Sequence, residues 1–146
     1  MAANSPINFL VVHCSASKPS QKVDVQVIER WHRKRGFLKI GYHYVIYRDG
    51  SVHKGREESE VGAHVQNHNK GSIGICLVGG IAEDGKSEAN FTLDQYASLA
   101  DLLGELLKRY PKAEIRGHRD FPGVAKDCPC FDVKQWWHDT VVEPKL

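Results

Sequence analysis

Short apolar runs alternate with segments of helical periodicity along this chain, and that alternation constrains the fold more than any other feature. Strands are predicted at 7–12, 42–47, 51–54, 72–80 and 113–116. These runs are rich in β-branched and aromatic residues, and several lack polar alternation, as is typical of strands buried on both faces. The sequence therefore predicts an α/β fold in which a central mixed β-sheet is flanked by helices, as a single domain over residues 1–146.

Helix boundaries are marked by capping residues. Asp24 is placed to cap a first helix, and Gly36 is placed to end it. Thr92 and Gln95 have the spacing of a capping box at the start of a second, strongly amphipathic helix. Asp132 is placed to cap a third helix, which carries two tryptophans. The intervening Asp49-Gly50 pair predicts a hairpin turn between two strands.

Composition excludes several classes of protein. The chain has 146 residues, 26% of them charged, and a formal net charge of +2, which is ordinary for a soluble globular domain. The basic group at 30–35 is interpreted as a solvated helix face, and no direct nucleic-acid contact is expected. No apolar run approaches the roughly 20 residues of a membrane span, so no membrane insertion is expected. Residues 1–6 lack the pattern of a signal peptide.

Histidines and cysteines are the candidate metal ligands. The four cysteines are too few and too unevenly spaced for a disulfide scaffold, so buried, metal-bound or catalytic thiols are expected. His13 ends the first strand, and His118 precedes a turn-rich loop that carries Cys128 and Cys130. Two neutral imidazoles and one thiolate suit a zinc ion that keeps a fourth position for water.

Spacing alone does not select three ligands from eight histidines and four cysteines. In an extended backbone the side chains at 126, 128 and 130 would point the same way, so both Cys128 and Cys130 stay open as ligands. Cys14 is expected to be buried, because it points to the sheet face opposite His13. Cys76 is expected in the core.

A set of motifs in fixed order carries a family resemblance. In chain order they are His13-Cys14-Ser15-Ala16, Gly41-Tyr42-His43-Tyr44, Gly62-Ala63-His64, Ser72-Ile73-Gly74-Ile75, Gly117-His118-Arg119-Asp120 and Cys128-Pro129. The set resembles the type-2 N-acetylmuramoyl-L-alanine amidases, above all the small lysozymes of short-tailed phages. The peptidoglycan recognition proteins are more distant relatives. The resemblance implies a mixed sheet with helices on its faces, a zinc ion in a surface groove, and hydrolysis of the amide between N-acetylmuramic acid and L-alanine in peptidoglycan.

The same resemblance implies residue roles. Its zinc ligands fall on His13, His118 and Cys128, the last immediately before the proline. Lys126 takes the position of an oxyanion-stabilising lysine. Tyr42 matches a tyrosine whose hydroxyl lies near the zinc and its water. His64 matches a histidine that lines the groove and contacts the peptide stem.

Strand alternation adds expectations of its own near Tyr42. If 42–47 is a regular strand, Tyr42 and Tyr44 share one face, and His43 and Val45 share the other. A structural role is therefore expected for His43 rather than a metal bond.

Two other functions fit parts of the sequence. One is a peptidoglycan-binding module without turnover, and the other is a cysteine hydrolase that uses Cys128 or Cys14 with a histidine. The phage resemblance and the basic segment at 30–35 further suggest a regulatory partner such as a phage RNA polymerase. The expected protein is a monomer that accumulates in the host cytoplasm before release to the cell wall.

Overall fold

Five strands form one mixed sheet in the computed structural model, which describes residues 6–124 and 127–142. The strands are β1 Phe9–Cys14, β2 Tyr44–Ile46, β3 Val52–Lys54, β4 Ser72–Leu77 and β5 Glu114–Gly117. Their order is β3-β2-β4-β1-β5, in which β2, β4, β1 and β5 are parallel and β3 is antiparallel at the edge. The predicted mixed sheet is therefore confirmed.

Three α-helices accompany the sheet: α1 Val25–Lys34, α2 Leu93–Arg109 and α3 Val133–Trp137. A short 3-10 helix, His118–Asp120, follows β5, and a π-helical turn, His138–Val142, follows α3. The Asp24 carboxylate accepts a hydrogen bond from the Val27 amide at 2.8 Å, and the capping box between Thr92 and Gln95 is present. The predicted caps are thus confirmed. No helix in the described ranges is long and apolar enough to cross a membrane.

The two faces of the sheet pack against different helices. On one face, Leu10 and Val12 of β1 pack with the leucines of α2 and with Val133 of α3. On the other face, Ile28 of α1 packs with Val45 and Cys76. Because successive side chains of a strand alternate between faces, β1 places His13 on the α1 side of the sheet. The opposite side of β1 belongs to the main core.

The strand predicted at 42–47 begins only at Tyr44, and the expected alternation before it is wrong. Tyr42 packs with the cluster around Ile28, whereas Tyr44 packs with the core beneath α2. The reason lies at His43, whose ring nitrogen Nδ1 accepts the amide hydrogen of Gly74 at 3.0 Å. The His43 ring thus accepts an amide hydrogen that a backbone carbonyl of a regular neighbouring strand would otherwise accept. The backbone bends at this point.

The strand predicted at 72–80 ends at Leu77. Gly79 and Gly80 have φ values of +134° and +102°, which lie outside strand geometry and favour glycine. The chain therefore turns sharply just beyond the sheet. This turn brings Gly80 close to the Cys14 thiol. A Cβ at Gly80 would lie only 2.7 Å from that sulfur.

Replacing Gln95 by alanine should lower the free energy of unfolding by about 3 kcal/mol. The fully buried amide donates to the carbonyls of Ile46 and Val78 at 3.1 and 2.9 Å, so truncation removes one donor from each of two carbonyls and leaves a cavity in the core. Urea denaturation measures the change. Gln135→Ala, at an exposed site, is the matched control and should cost far less. Equal losses in the two variants would contradict this role of Gln95.

Candidate metal centre and groove

Strand register brings two histidines together. In the parallel pair β1 and β5, Val12 lies opposite Gly117, so the next positions along both strands are His13 and His118. Their ring centroids are 4.5 Å apart. His13 is 1% exposed and His118 is half-buried, so one ring is anchored in the sheet and the other faces outward.

The loop before α3 adds a thiol to this pair. One candidate ligand atom each from His13, His118 and Cys128 lies within 4.8 Å of the others, and among the described residues these three form the group that could hold a metal ion. The amide of Cys14 donates to the Cys128 sulfur at 3.1 Å, and the amide of Arg119 donates to the Cys128 carbonyl at 2.9 Å. Both strand ends therefore hold the loop in place.

The expectation of an extended backbone around the two thiols is wrong for residues 127–130. The Cys130 amide donates to the Asp127 carbonyl, and Cys130 has a φ of +79°, so the loop turns here. As a result the Cys130 thiol points away and donates to the Gly80 carbonyl at 3.4 Å. Tertiary structure thus distinguishes two thiols that spacing could not separate. Lys126 lies outside the described residues.

His64 lies behind His13 rather than beside His118. His13 Nε2 and His64 Nδ1 are 2.8 Å apart, and His64 Nε2 is 3.1 Å from the Ser72 hydroxyl. Burial, followed by the charges of His43 and His118, lowers the pKa of His64 to about 3, so its ring is neutral at physiological pH. The His64 ring borders the groove, but each of its two nitrogens already has a hydrogen-bonding partner within the protein. Sequence reasoning missed Ser72, although it belongs to a quoted motif.

Tyr42 lies against the ligand histidine. Its ring centroid is 5.0 Å from that of His13 and 5.2 Å from that of His32. Burial holds the pKa of the Tyr42 hydroxyl well above its usual value. Tyr42 is therefore a neutral hydroxyl, able to donate or accept a hydrogen bond but not to act as a tyrosinate near neutral pH.

A groove of about 870 Å³ runs over these residues. One wall comes from α1 and the segment after it, with Trp31, Arg35 and Phe37. The other wall comes from the segment at 63–69. The groove is large enough for an extended ligand and combines aromatic, amide and cationic groups. Sequence patterns gave no sign that Trp31 and Arg35 would line it.

The other thiols are poorly suited to act as nucleophiles. Hydrogen bonding to Cys128 and burial raise the pKa of Cys14, and burial raises the pKa of Cys130 to about 11. Both are protonated near neutral pH, whereas the thiolate is the reactive form. Cys76 is fully buried in the core as expected.

The fold and this geometry place the chain in a class of α/β proteins in which two histidines and a cysteine meet at the carboxyl ends of parallel strands, beside an open groove. The sequence profile of the N-acetylmuramoyl-L-alanine amidases matches residues 3–131, and the chain belongs to this family. The family resemblance that the motifs indicated is thereby confirmed.

Individual relatives agree with this assignment. The endolysin of Escherichia phage T7 is 51% identical over 128 residues, which cover 88% of this chain and 83% of that protein. The endolysin N-acetylmuramoyl-L-alanine amidase LysCS from Clostridium intestinale has a similar structure, with a TM-score of 0.73, 31% identity, and coverage of 86% of this chain and 76% of that one. Peptidoglycan recognition protein SD from Drosophila superposes with a TM-score of 0.68 at 25% identity, over 88% and 79% of the two chains.

His32 should make stability depend on pH. Burial and the nearby Arg35 lower the pKa of its ring to about 4 from 6.5, and its Nδ1 accepts the Gly41 amide hydrogen at 2.8 Å. As the pH falls from 6.5 to about 4, His32 binds a proton in the unfolded chain but not in the folded chain. The free energy of unfolding should therefore fall across this window.

The variant that tests this is His32→Asn, which keeps an acceptor for the Gly41 amide but does not titrate. Urea unfolding between pH 4 and pH 7 in the presence of a chelator should give a flatter profile than wild type. His138→Asn, at an exposed ring, is the control and should keep the wild-type slope. A His32→Asn profile parallel to wild type would contradict the assignment.

Proposed function

We propose that this protein is a zinc-dependent N-acetylmuramoyl-L-alanine amidase of the endolysin type, which cleaves the amide between N-acetylmuramic acid and L-alanine in bacterial peptidoglycan. The observation that carries the proposal is the convergence of His13, His118 and Cys128, of which His118 and Cys128 line the groove. Membership of the amidase family and the phage relatives support it.

The donor set fits zinc. Two nitrogen donors and one sulfur donor, from residues that lie far apart in the chain, match the preference of zinc for imidazole and thiolate and leave one tetrahedral position for water. When bound, zinc supplies Lewis acidity that activates water and polarises the amide carbonyl. Because only one of the three donors is anionic, the site retains a net positive charge.

Tyr42 is proposed to orient the attacking water. Its neutral hydroxyl and its position against the His13 ring suit a hydrogen-bonding role at the groove floor. Lys126 is proposed to stabilise the negative charge that develops on the carbonyl oxygen, on the basis of its position two residues before Cys128 and the family resemblance. The groove walls would hold the glycan and peptide on either side of the scissile amide, with His64 proposed among the residues near the peptide stem.

The decisive experiment measures the bond that is cleaved. Purified peptidoglycan or outer-membrane-permeabilised bacteria should be solubilised with release of new L-alanine amino termini and no new reducing sugar ends. Removal of metal by a chelator should abolish release, and zinc should restore it. New reducing ends without new amino ends would identify a glycosidase and overturn the proposal.

Serine substitution of each loop cysteine should separate their roles. Cys128→Ser should lose stoichiometric zinc and lytic activity together, because a hydroxyl is a much weaker zinc ligand than a thiolate. Cys130→Ser is the matched control two residues away and should retain both. Zinc is quantified by elemental analysis of dialysed protein, and loss of zinc from Cys130→Ser alone would reverse the ligand assignment.

Removing the Tyr42 hydroxyl should slow catalysis without emptying the metal centre. Tyr42→Phe keeps the ring packing and should reduce kcat by about 100-fold while zinc stoichiometry stays unchanged. Tyr47→Phe removes a hydroxyl that accepts the Val25 amide hydrogen on α1 instead, and it should leave kcat near wild type. Comparable kcat values for wild type and Tyr42→Phe would remove Tyr42 from the mechanism.

A binding module and a cysteine hydrolase predict other results. Because peptidoglycan recognition proteins share this fold, a non-catalytic binder is the competing function, and it would retain peptidoglycan without releasing amino termini. A cysteine hydrolase would stay active in a chelator and fail with iodoacetamide, but the protonated state of Cys14 argues against it.

The remaining proposals concern a protein partner, the oligomeric state and the location of the protein in the cell. Exposed Arg30, Arg33 and Lys34 on α1 form a basic surface that suits a protein partner such as a phage RNA polymerase. A pull-down from infected cells that recovers no polymerase would remove this proposal. The single-domain monomer, and its residence in the host cytoplasm before it reaches the cell wall, are likewise proposed from the sequence; sedimentation and cell fractionation test them.

A further inference from the structure

A chain of buried hydrogen bonds extends from His13 away from the candidate metal centre. His13 Nε2 is 2.8 Å from His64 Nδ1, and His64 Nε2 is 3.1 Å from the Ser72 hydroxyl oxygen. That oxygen also lies 2.7 Å from the carbonyl of His68 and 3.0 Å from the carbonyl of Asn69. The three side chains are 1%, 9% and 2% exposed, in chain order, so bulk water has little access to their protons.

The Ser72 end of this chain sets its direction. A serine hydroxyl has one proton, and carbonyl oxygens only accept. With two carbonyl oxygens in contact, the Ser72 proton points at a carbonyl, because any other arrangement would set oxygen lone pairs against both carbonyls. The hydroxyl oxygen must then accept from His64, which places the proton of this neutral ring on Nε2.

The direction of the hydrogen bond between His64 and Ser72 also sets the direction of the hydrogen bond between His13 and His64. A neutral His64 ring protonated at Nε2 has its lone pair at Nδ1, which accepts a hydrogen bond from His13 Nε2–H. A metal-ligating imidazole is neutral, and in a neutral His13 ring that donates from Nε2 the lone pair lies at Nδ1. We propose that His64 and Ser72 are positioning residues that fix the Nε2–H tautomer of His13, so that Nδ1 is the nitrogen offered to the metal.

The surroundings hold the His64 ring in this position. A Cβ at Gly74 would lie 2.6 Å from the ring, and a Cβ at Gly62 would lie 2.7 Å from it, so glycine at both positions makes room for the imidazole. The Asn69 side-chain oxygen accepts the amide hydrogens of His64 and Val65 at 2.7 and 2.8 Å. The ring is therefore positioned by packing and backbone contacts in the protein itself. Partners that orient a ligating histidine in this way commonly raise metal affinity 10- to 100-fold.

This assignment gives His64 a positioning role in addition to its proposed place near the peptide stem, and it limits any contact with the stem to van der Waals packing. Both of its ring nitrogens already have partners inside the protein, so neither has a hydrogen bond left to offer a ligand. The inference rests on the proposed function only in naming zinc as the ion. The tautomer of His13 is a property of the metal-free protein and can be measured without activity.

The first experiment reads the tautomers directly. Long-range ¹H–¹⁵N correlation spectra of the imidazole nitrogens are recorded on ¹⁵N-labelled, metal-free protein, with signals assigned from His13→Ala and His64→Ala spectra. Both rings should be Nε2–H tautomers, and zinc should shift the Nδ1 signal of His13. An Nδ1–H tautomer at either ring would overturn the proposal, even if the protein proves to be an active amidase.

The second experiment measures zinc affinity by competition with a chromogenic chelator. His64→Ala should weaken zinc binding about 10- to 100-fold. His64→Asn can place its amide oxygen where Nδ1 stood, so it should recover most of the affinity. Ser72→Ala should cause a smaller loss than His64→Ala.

Controls separate positioning from general damage. His53→Ala removes a ring that stacks on Tyr47, outside the metal-binding group, and should leave zinc affinity unchanged. Wild-type affinity in His64→Ala, or equal losses in His64→Ala and His64→Asn, would overturn the proposal. If His64→Ala does not fold, the His64→Asn affinity and the wild-type tautomers decide. Failure of the wild-type protein to bind zinc at all would instead overturn the proposed function.

Discussion

The parallel register between β1 and β5 is the constraint on which the rest of the site depends. Because Val12 lies opposite Gly117, the chain emerges from two adjacent strands with His13 and His118 side by side. The carboxyl ends of parallel strands meet at one edge of a sheet, so side chains that are far apart in sequence converge there without any dedicated scaffold. A shift of one residue in this register would move one of the two rings to the other face of the sheet.

Hydrogen bonding around the sheet keeps several histidines in one orientation, and burial keeps them neutral. His43 accepts the Gly74 amide hydrogen with Nδ1 and lies with Nε2 2.8 Å from the Glu60 carbonyl. His32 accepts the Gly41 amide hydrogen with Nδ1. Burial lowers the pKa of each ring, so these groups act as fixed hydrogen-bonding elements and not as charges near the site. A neutral environment of this kind would leave the charge of a bound metal ion to be balanced by its own ligands.

The walls of the groove and the candidate metal ligands come from different parts of the chain. This separation explains how one fold can serve both hydrolysis and recognition. The ligand group depends on strand ends and on the turn at 127–130, whereas the walls come from α1 and the segment at 63–69. Changes in Trp31, Arg35 or Asn67 can alter which ligand fits without moving His13 or His118. Structural neighbours of this chain accordingly include both endolysin amidases and recognition proteins.

The sequence by itself determined the mixed sheet, the helix caps and, through ordered motifs, the family. These features follow from local periodicity, capping chemistry and short motifs, all of which act within a few residues. Tertiary structure alone decided which thiol joins the two histidines, because a turn with Cys130 at positive φ separates Cys128 from Cys130. It also decided the face of Tyr42, where His43 meets Gly74 across strands, and the link from His64 to Ser72. Contacts between residues distant in sequence have no local signature, and only the folded chain defines them.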